Sequence, residues 1–349
     1  MNFADRIIAW QKQHGRHDLP WQRTRDAYRI WLSEIMLQQT QVATVIPYYQ
    51  RFIVRFPDVH ALASAPVESV MASWAGLGYY SRARNLHRCA QRIVETNGEF
   101  PRSVEQLTSL PGIGRSTAAA IAALAFGERA AILDGNVKRV LARQFGIEGY
   151  PGNTLVERVF WHRAESLLPI DSIEAYTQGL MDLGAMICTR SFPDCVACPV
   201  SRTCVARNAH TIDKLPTPRP VRKRPVRAAT VLVMHDASGA VLLELRPPSG
   251  IWGGLLSLPE FDSEASDDEV VAGIGKRFGL HITLKQALGQ VRHEFTHYTY
   301  LMRPRLAQVA GAAGAANSSL RSVREDALQA APLPAPIRRL LLQLQPALL

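Results

Sequence analysis

Several side chains in this 349-residue chain are of types and spacings that can do chemistry. Glu34 lies in the string WLSEIMLQQTQV, residues 31–42, beside Ile30, Trp31, Ile35, Leu37 and Val42. At helical spacing these apolar residues make one face, where an acid is costly to bury without a partner or a task. Burial raises a carboxyl pKa, which suits a general acid near neutral pH. An exposed surface glutamate is the plain alternative. Gln38, Gln39 and Gln41 follow at once, and amides can read or replace base edges. Cys188, Cys195, Cys198 and Cys204 read C-x6-C-x2-C-x5-C. Thiolates so close in sequence can converge on one iron–sulfur cube or one tetrahedral zinc. The spacing is not the paired knuckle of zinc ribbons.

Three further strings bear on a polyanion. In LPGIGRST, residues 110–117, Pro111 opens a turn, and Gly112 and Gly114 permit positive φ and close backbone approach. Ser116 and Thr117 are placed to cap the next helix, whose first N–H groups can take a DNA phosphate. In LGYYSRARN, residues 77–85, Tyr79 and Tyr80 offer stacking surfaces beside the cations Arg82 and Arg84. Asp134 precedes a Gly-Asn turn in LDGNVKR, residues 133–139, and alone reads as a helix N-cap.

The elements that must position these residues change along the chain. Residues 1 to about 210 show apolar spacing of three and four, punctuated by Pro and Gly, which predicts an all-α part. Residues 214–227, KLPTPRPVRKRPVR, hold four prolines, six basic residues and no acid, a semi-rigid solvated linker able to touch phosphate. Beyond it, residues 228–235 and 240–245 read as strands around a turn at 236–239, so a hairpin is expected. Residues 271–278 suit a helix, 292–301 a strand, and a closing helix is expected from Ala335. The C-terminal part is thus α+β.

The net charge of +10 points to a polyanionic partner, which an anionic membrane surface would also satisfy. No apolar run approaches a membrane span. Five cysteines, four of them clustered, suggest a reducing compartment and a metal site rather than disulfides. Cys89, in a helical stretch, reads as a buried free thiol.

Taken together, these motifs resemble the MutY-type adenine DNA glycosylases of the helix-hairpin-helix, endonuclease III superfamily. The resemblance implies a multidomain protein. An all-α helix-hairpin-helix core with a [4Fe–4S] loop would span residues 1–213, the linker 214–227, and an α+β Nudix-like domain 228–349. It implies that Glu34 protonates the leaving adenine at N7, and that Asp134 stabilises an oxocarbenium-like sugar, by charge or through a transient bond. Gln39 would enter the duplex, Tyr79 would wedge beside the damaged base, Gly112, Gly114 and Ser116 would meet DNA at the hairpin, and Lys138 would take a phosphate. Bifunctional relatives carry lysine at the Ser116 position; a serine cannot form a Schiff base, so a monofunctional enzyme is expected. Cys188, Cys195, Cys198 and Cys204 would hold the cluster, which would fix Arg190, Arg202 and Arg207 against phosphates.

A decayed Nudix box spans residues 254–276. Gly254, Glu260, Glu269, Val270 and Gly275 fall in register, but Asp268, Ala272, Gly273 and Lys276 replace the arginine, the paired glutamates and the last aliphatic residue. Without those glutamates the Mg²⁺ site loses its main ligands, which speaks against nucleotide hydrolysis. The strings RPPSGIWGGL and HEFTH resemble the MutY C-terminal domain, so Phe295, Thr296 and His297 would read 8-oxoguanine. The implied partner is double-stranded DNA carrying A:8-oxoguanine or A:G mispairs, bound by a monomer in a bacterial cytoplasm, at the nucleoid when on DNA. A glycosylase/lyase for oxidised pyrimidines, a catalytically silent Fe–S DNA-binding protein and a nucleotide-hydrolysing Nudix enzyme are the competing readings. Ser116, the Glu34–Asp134 combination and the decayed box respectively argue against them.

Overall fold

Helix follows helix from Phe3 to Asn208, as the apolar spacing predicts. A computed structural model describes residues 2–220, 224–247, 250–295, 297–310 and 319–344. By contacts the chain divides into two units, Met1–Ala65 with Asn85–Val221, and Pro66–Arg84 with Arg222–Leu349. The sequence reading placed residues 66–84 in the first domain, whereas their contacts group them with the second unit. Tyr80 Oη donates to Leu333 O at 3.4 Å, and the Arg84 guanidinium bonds Gly253 O. Nothing in the local sequence of 66–84 announces partners that far along the chain.

In the first unit, the Ala27–Leu37 helix begins where Asp26 accepts the Tyr28 and Arg29 N–H groups. It buries Tyr28, Ile30, Trp31, Leu32, Ile35 and Met36. Burying a side chain such as Leu32 contributes about 2 kcal/mol, and Leu32→Ala would cost roughly 3 kcal/mol once the cavity is counted. The Arg115–Phe126 helix is rich in buried alanines from Ala118 to Ala123, so its neighbours come close. At Gly179, in the Ile173–Asp182 helix, an added Cβ would lie 2.8 Å from Ile7, so only glycine lets the Phe3–His14 helix approach.

The helix-hairpin-helix is present: a short Val104–Thr108 helix, a turn, then Arg115–Phe126. Gly112 has φ +79, and a Cβ there would meet Asn85 Cβ at 2.6 Å, so both demands hold. Gly114 differs from expectation. Its φ is −87 with open space beside it, and it is itself the N-cap. Ser116 and Thr117 therefore lie inside the first turn and do not cap it.

The second unit carries a mixed sheet. Val226–His235 runs parallel to Thr299–Val309 and antiparallel to Val241–Leu245, so the expected hairpin forms, with Met234 opposite Leu242. Val231 and Val233 face the core completed by Ile337 and Leu340 of the Ala335–Leu344 helix. Leu232 and Met234 face the one completed by Val270, Ile274 and Phe278. A strand buried on both faces needs a continuous apolar run, which is why AATVLVMH does not alternate.

Two expectations shift here. The helix expected from residue 271 starts at Asp267, because Ser266 and Glu269 form a reciprocal capping box. The single strand expected over 292–301 is instead a hairpin: Val291–Glu294 pairs antiparallel with Thr299–Val309, His293 opposite Tyr300. Phe295 and His297 occupy its turn, where Phe295 N–H donates to Tyr298 O. Among the described residues, no helix is long and apolar enough to cross a membrane.

Candidate active site and metal centre

Glu34 and Asp134 line one cavity of about 960 Å³ in the first unit, together with Gln39, Ser116, Asn136 and Gln178. The Ala27–Leu37 helix supplies Glu34 from its penultimate turn. Protein encloses that side chain except where it opens into the cavity. Burial first, then the charge of Asp134, pushes its pKa up to about 8. It accepts no hydrogen bond from the described residues.

Asp134 is the N-cap of the Gly135–Phe145 helix, its Oδ1 accepting the Val137 N–H at 2.7 Å. Burial raises its pKa as well. Donors from Val137 and Asn136 and the Arg139 charge oppose that rise. The two carboxyls thus sit in unlike surroundings: burial raises both, but Glu34 has no donor to oppose it, whereas Asp134 accepts N–H groups that favour its ionised form. The bare N-cap reading of Asp134 is structurally correct, and the cavity gives the same oxygen pair a second surface to act on.

Several bonds hold this pair in place. Ser116 Oγ accepts the Leu133 N–H at 2.9 Å, which ties the hairpin helix to the residue before Asp134. Gln38 Nε2 donates to Thr117 Oγ1 at 3.3 Å. The hydroxyls expected as caps are thus braces between the hairpin and the two acid-bearing segments. A π-helical turn, Leu183–Ile187, packs against Asn136, and a Cβ at Gly184 would come within 2.5 Å of Asn136 Cβ. Arg139 donates to Cys188 O at 2.7 Å, Gly184 O at 2.6 Å and Asn136 Oδ1 at 2.8 Å. Gln39, exposed in the turn that lines the cavity, takes φ +58, a strained conformation for a residue with a side chain.

The remaining residues expected at a site lie elsewhere. Lys138 Nζ pairs with Glu157 Oε1 at 2.6 Å and does not border the cavity. Tyr79 belongs to the second unit, half exposed at φ +49, with the Arg82 guanidinium 5.4 Å from its ring centre. Phe295 stacks among Trp252, Tyr298 and Tyr300, with the Tyr298 ring 4.8 Å away, and His297 is exposed. Thr296 lies outside the described residues.

The four cysteines line a second, apolar cavity of about 30 Å³, closed by Ile187, Pro193 and Ile212. Burial pushes the Cys198 thiol up to about 11; the Val200 N–H opposes this, and the other three cysteines add to it. Among the described residues no three His, Cys, Asp or Glu side chains stand close enough to hold a single metal ion. Arg143, almost fully buried, fixes the loop. It donates to Thr189 O at 2.6 Å, Leu215 O at 2.8 Å and Arg190 O at 3.0 Å, and lies 3.5 Å from Cys188 Sγ. Asp134, Arg139 and Arg143 share one helix, so the acid's N-cap and the cysteine loop are mechanically joined.

The acids left from the Nudix box are otherwise engaged. Glu260 pairs with Arg246 at 2.9 Å, and Glu269 closes the capping box. At Gly273 a Cβ would lie 2.5 Å from the Phe261 ring.

Sequence reasoning missed Arg16, Gln178, Asp182 and the bracing role of Arg139. Only Arg139 sat in a motif already singled out; Arg16 and Asp182 are joined across 166 residues, and Gln178 bonds Asp182 from one turn earlier on the same helix.

Residues 32–166 match the HhH-GPD superfamily of base excision DNA repair proteins, and residues 230–343 match the NUDIX domain. The chain is similar to an adenine DNA glycosylase of Buchnera aphidicola subsp. Baizongia pistaciae, 37% identical over 303 residues, 86% of this chain and 85% of that one. Among solved structures it is similar to a thermostable thymine-DNA glycosylase, at TM-score 0.54 and 32% identity over 59% of this chain and 95% of that one. Its fold is also shared with an endonuclease III in a non-covalent DNA complex, at TM-score 0.51 and 23% identity over 59% and 94%.

Proposed function

The chain belongs to the MutY-type adenine DNA glycosylases, and from that premise we propose that it removes adenine mispaired with 8-oxoguanine or guanine from duplex DNA. The observation that carries the chemistry is the facing pair in one cavity, Glu34 raised to about 8 and Asp134 held by its helix start. The target adenine leaves the stack to reach these groups. Protonated Glu34 gives its proton to the departing base at N7. Asp134 offsets the positive charge that grows on the sugar, and Glu34, now a carboxylate, takes a proton from the attacking water.

Strand cleavage is not part of this reaction. Ser116 is bonded to Leu133 N–H and carries no amine, and Lys138 is held by Glu157. Gln39 enters the duplex and Tyr79 wedges beside the lesion. Gly112, Gly114 and Lys138 meet phosphates, and Phe295, Thr296 and His297 read 8-oxoguanine. The linker 214–227 separates the catalytic part from this reader. The protein acts as a monomer in the cytoplasm, at the nucleoid when on DNA.

Proteins of this family generally carry a [4Fe–4S] cluster. In this chain Cys188, Cys195, Cys198 and Cys204 would hold it; the apolar cavity they share and the nearby Arg143 support that assignment. When bound, the cluster would anchor the loop bearing Arg190, Arg202 and Arg207, while Glu34 and Asp134 carry the breaking of the glycosidic bond.

A duplex with a single A:8-oxoguanine pair tests the reading. Incubation should leave the strand intact, and heating in alkali should then cut it at the adenine. An uncut strand after alkali would refute the activity. Efficient cutting before alkali would refute the monofunctional mechanism.

A further inference from the structure

Two cations of the first unit stand where a helix start favours an acid. Arg115 opens the hairpin helix Arg115–Phe126, and Lys138 lies in the first turn of Gly135–Phe145. Neither first turn carries an acid of its own. A positive side chain there has the wrong sign for the helix dipole, so it is stabilised only beside an anion.

The Thr154–Ser166 helix supplies that anion twice. Glu157, Trp161 and Glu165 are spaced by four residues and so share one face. Lys138 Nζ lies 2.6 Å from Glu157 Oε1. The Arg115 guanidinium bonds Glu165 Oε1, and its carbon lies 3.9 Å from the centre of the Trp161 ring. Neither pair is buried: Arg115 and Glu165 are half exposed, and Glu157 is 40% exposed. Exposed pairs of this kind hold weakly, so an anion arriving from solvent can replace the carboxylate. The Trp161 ring keeps the plane of Arg115 in place while the partner at its edge changes.

We propose that Glu157 and Glu165 are internal stand-ins for DNA phosphates. In the free protein they hold Lys138 and Arg115, and on binding the duplex backbone takes both cations over. Each phosphate contact is then made by breaking an ion pair. The acid face thereby loosens the grip on any duplex and lets the protein leave undamaged DNA. The proposal rests on the DNA-binding reading above and adds a control of affinity to it.

Fluorescence-anisotropy titration of an undamaged duplex at fixed salt tests it. Glu157→Gln and Glu165→Gln should each bind roughly two- to fivefold more tightly than wild type. Lys138→Met should bind more weakly, with the slope of log K against log salt shallower by about 0.9. Placed in the Lys138→Met background, Glu157→Gln should bring no gain. Acid variants that bind no tighter would overturn the proposal. So would a gain that persists without Lys138, because it would reflect only the loss of a repelling charge. Glu165→Gln in an Arg115→Met background is a second such cycle, and it decides the matter if a Lys138 variant does not fold. Only binding is read, so a protein that holds duplex but removes no adenine overturns the excision reading and leaves the exchange standing. A wild type that binds no duplex overturns both.

Discussion

Two pairs of acids in this molecule have opposite fates. Glu34 and Asp134 face a shared cavity, Glu34 without a hydrogen-bond donor and Asp134 with donors from its own helix start. Glu260 and Glu269, the acids surviving from the Nudix box, are spent on an ion pair with Arg246 and on the Ser266 capping box. Residue type is the same in both regions. What separates them is whether the surroundings leave a proton free to move. Burial without a counter-charge holds the Glu34 proton near neutral pH. Backbone donors and Ser266 pull Glu269 below the ordinary glutamate range.

The largest effect that would break this contrast comes from Glu34→Gln. It should lower single-turnover adenine excision by about 10³-fold or more while mispair binding stays within a few-fold, read by alkali cleavage and by a gel-shift titration. Asp134→Asn should cost roughly 10²-fold or more in rate. Asparagine is as good an N-cap as aspartate, so the melting free energy should change by less than about 1 kcal/mol. A matching loss of stability would assign Asp134 to structure alone.

Stability against pH gives a further contrast. The folded Glu34 binds its proton more tightly than the unfolded one, so its contribution is fully present below about pH 4.5 and lost as pH rises towards 8. Denaturant titrations should therefore find Glu34→Gln more stable than wild type by up to about 5 kcal/mol at pH 9, and nearly equal at pH 4. Smallest of all, Glu260→Gln and Glu269→Gln should each cost at most about 1 kcal/mol and leave adenine excision unchanged. Neither the wild type nor these variants should hydrolyse nucleoside triphosphates in Mg²⁺, and turnover there would erase the distinction.

Features carried by local pattern were legible in the sequence. The apolar face around Glu34, the Gly112 turn, the hairpin at residues 236–239 and the Ala335 helix each follow from neighbours a few residues away. Features carried by distant partners were not. Ser116 and Thr117 looked like caps because the sequence does not display Leu133 and Gln38 as their partners. Residues 66–84 gave no sign of Gly253 or Leu333. Asp182 is one acid in a helix until Arg16 is seen across the core. The expected strand at 292–301 failed for a related reason: its aromatic and β-branched run continues straight through a turn that only pairing with Thr299–Val309 defines. The cysteine spacing left zinc and a cluster both open. What favours the cluster is the family to which the chain belongs.

The rate of adenine excision against pH, measured on wild-type protein in excess over an A:8-oxoguanine duplex, tests most directly whether a buried, protonated Glu34 drives the reaction. The rate constant should hold steady up to about pH 8 and then fall about tenfold per pH unit as Glu34 ionises. A rate that stays level or rises from pH 8 to pH 10 would contradict the account.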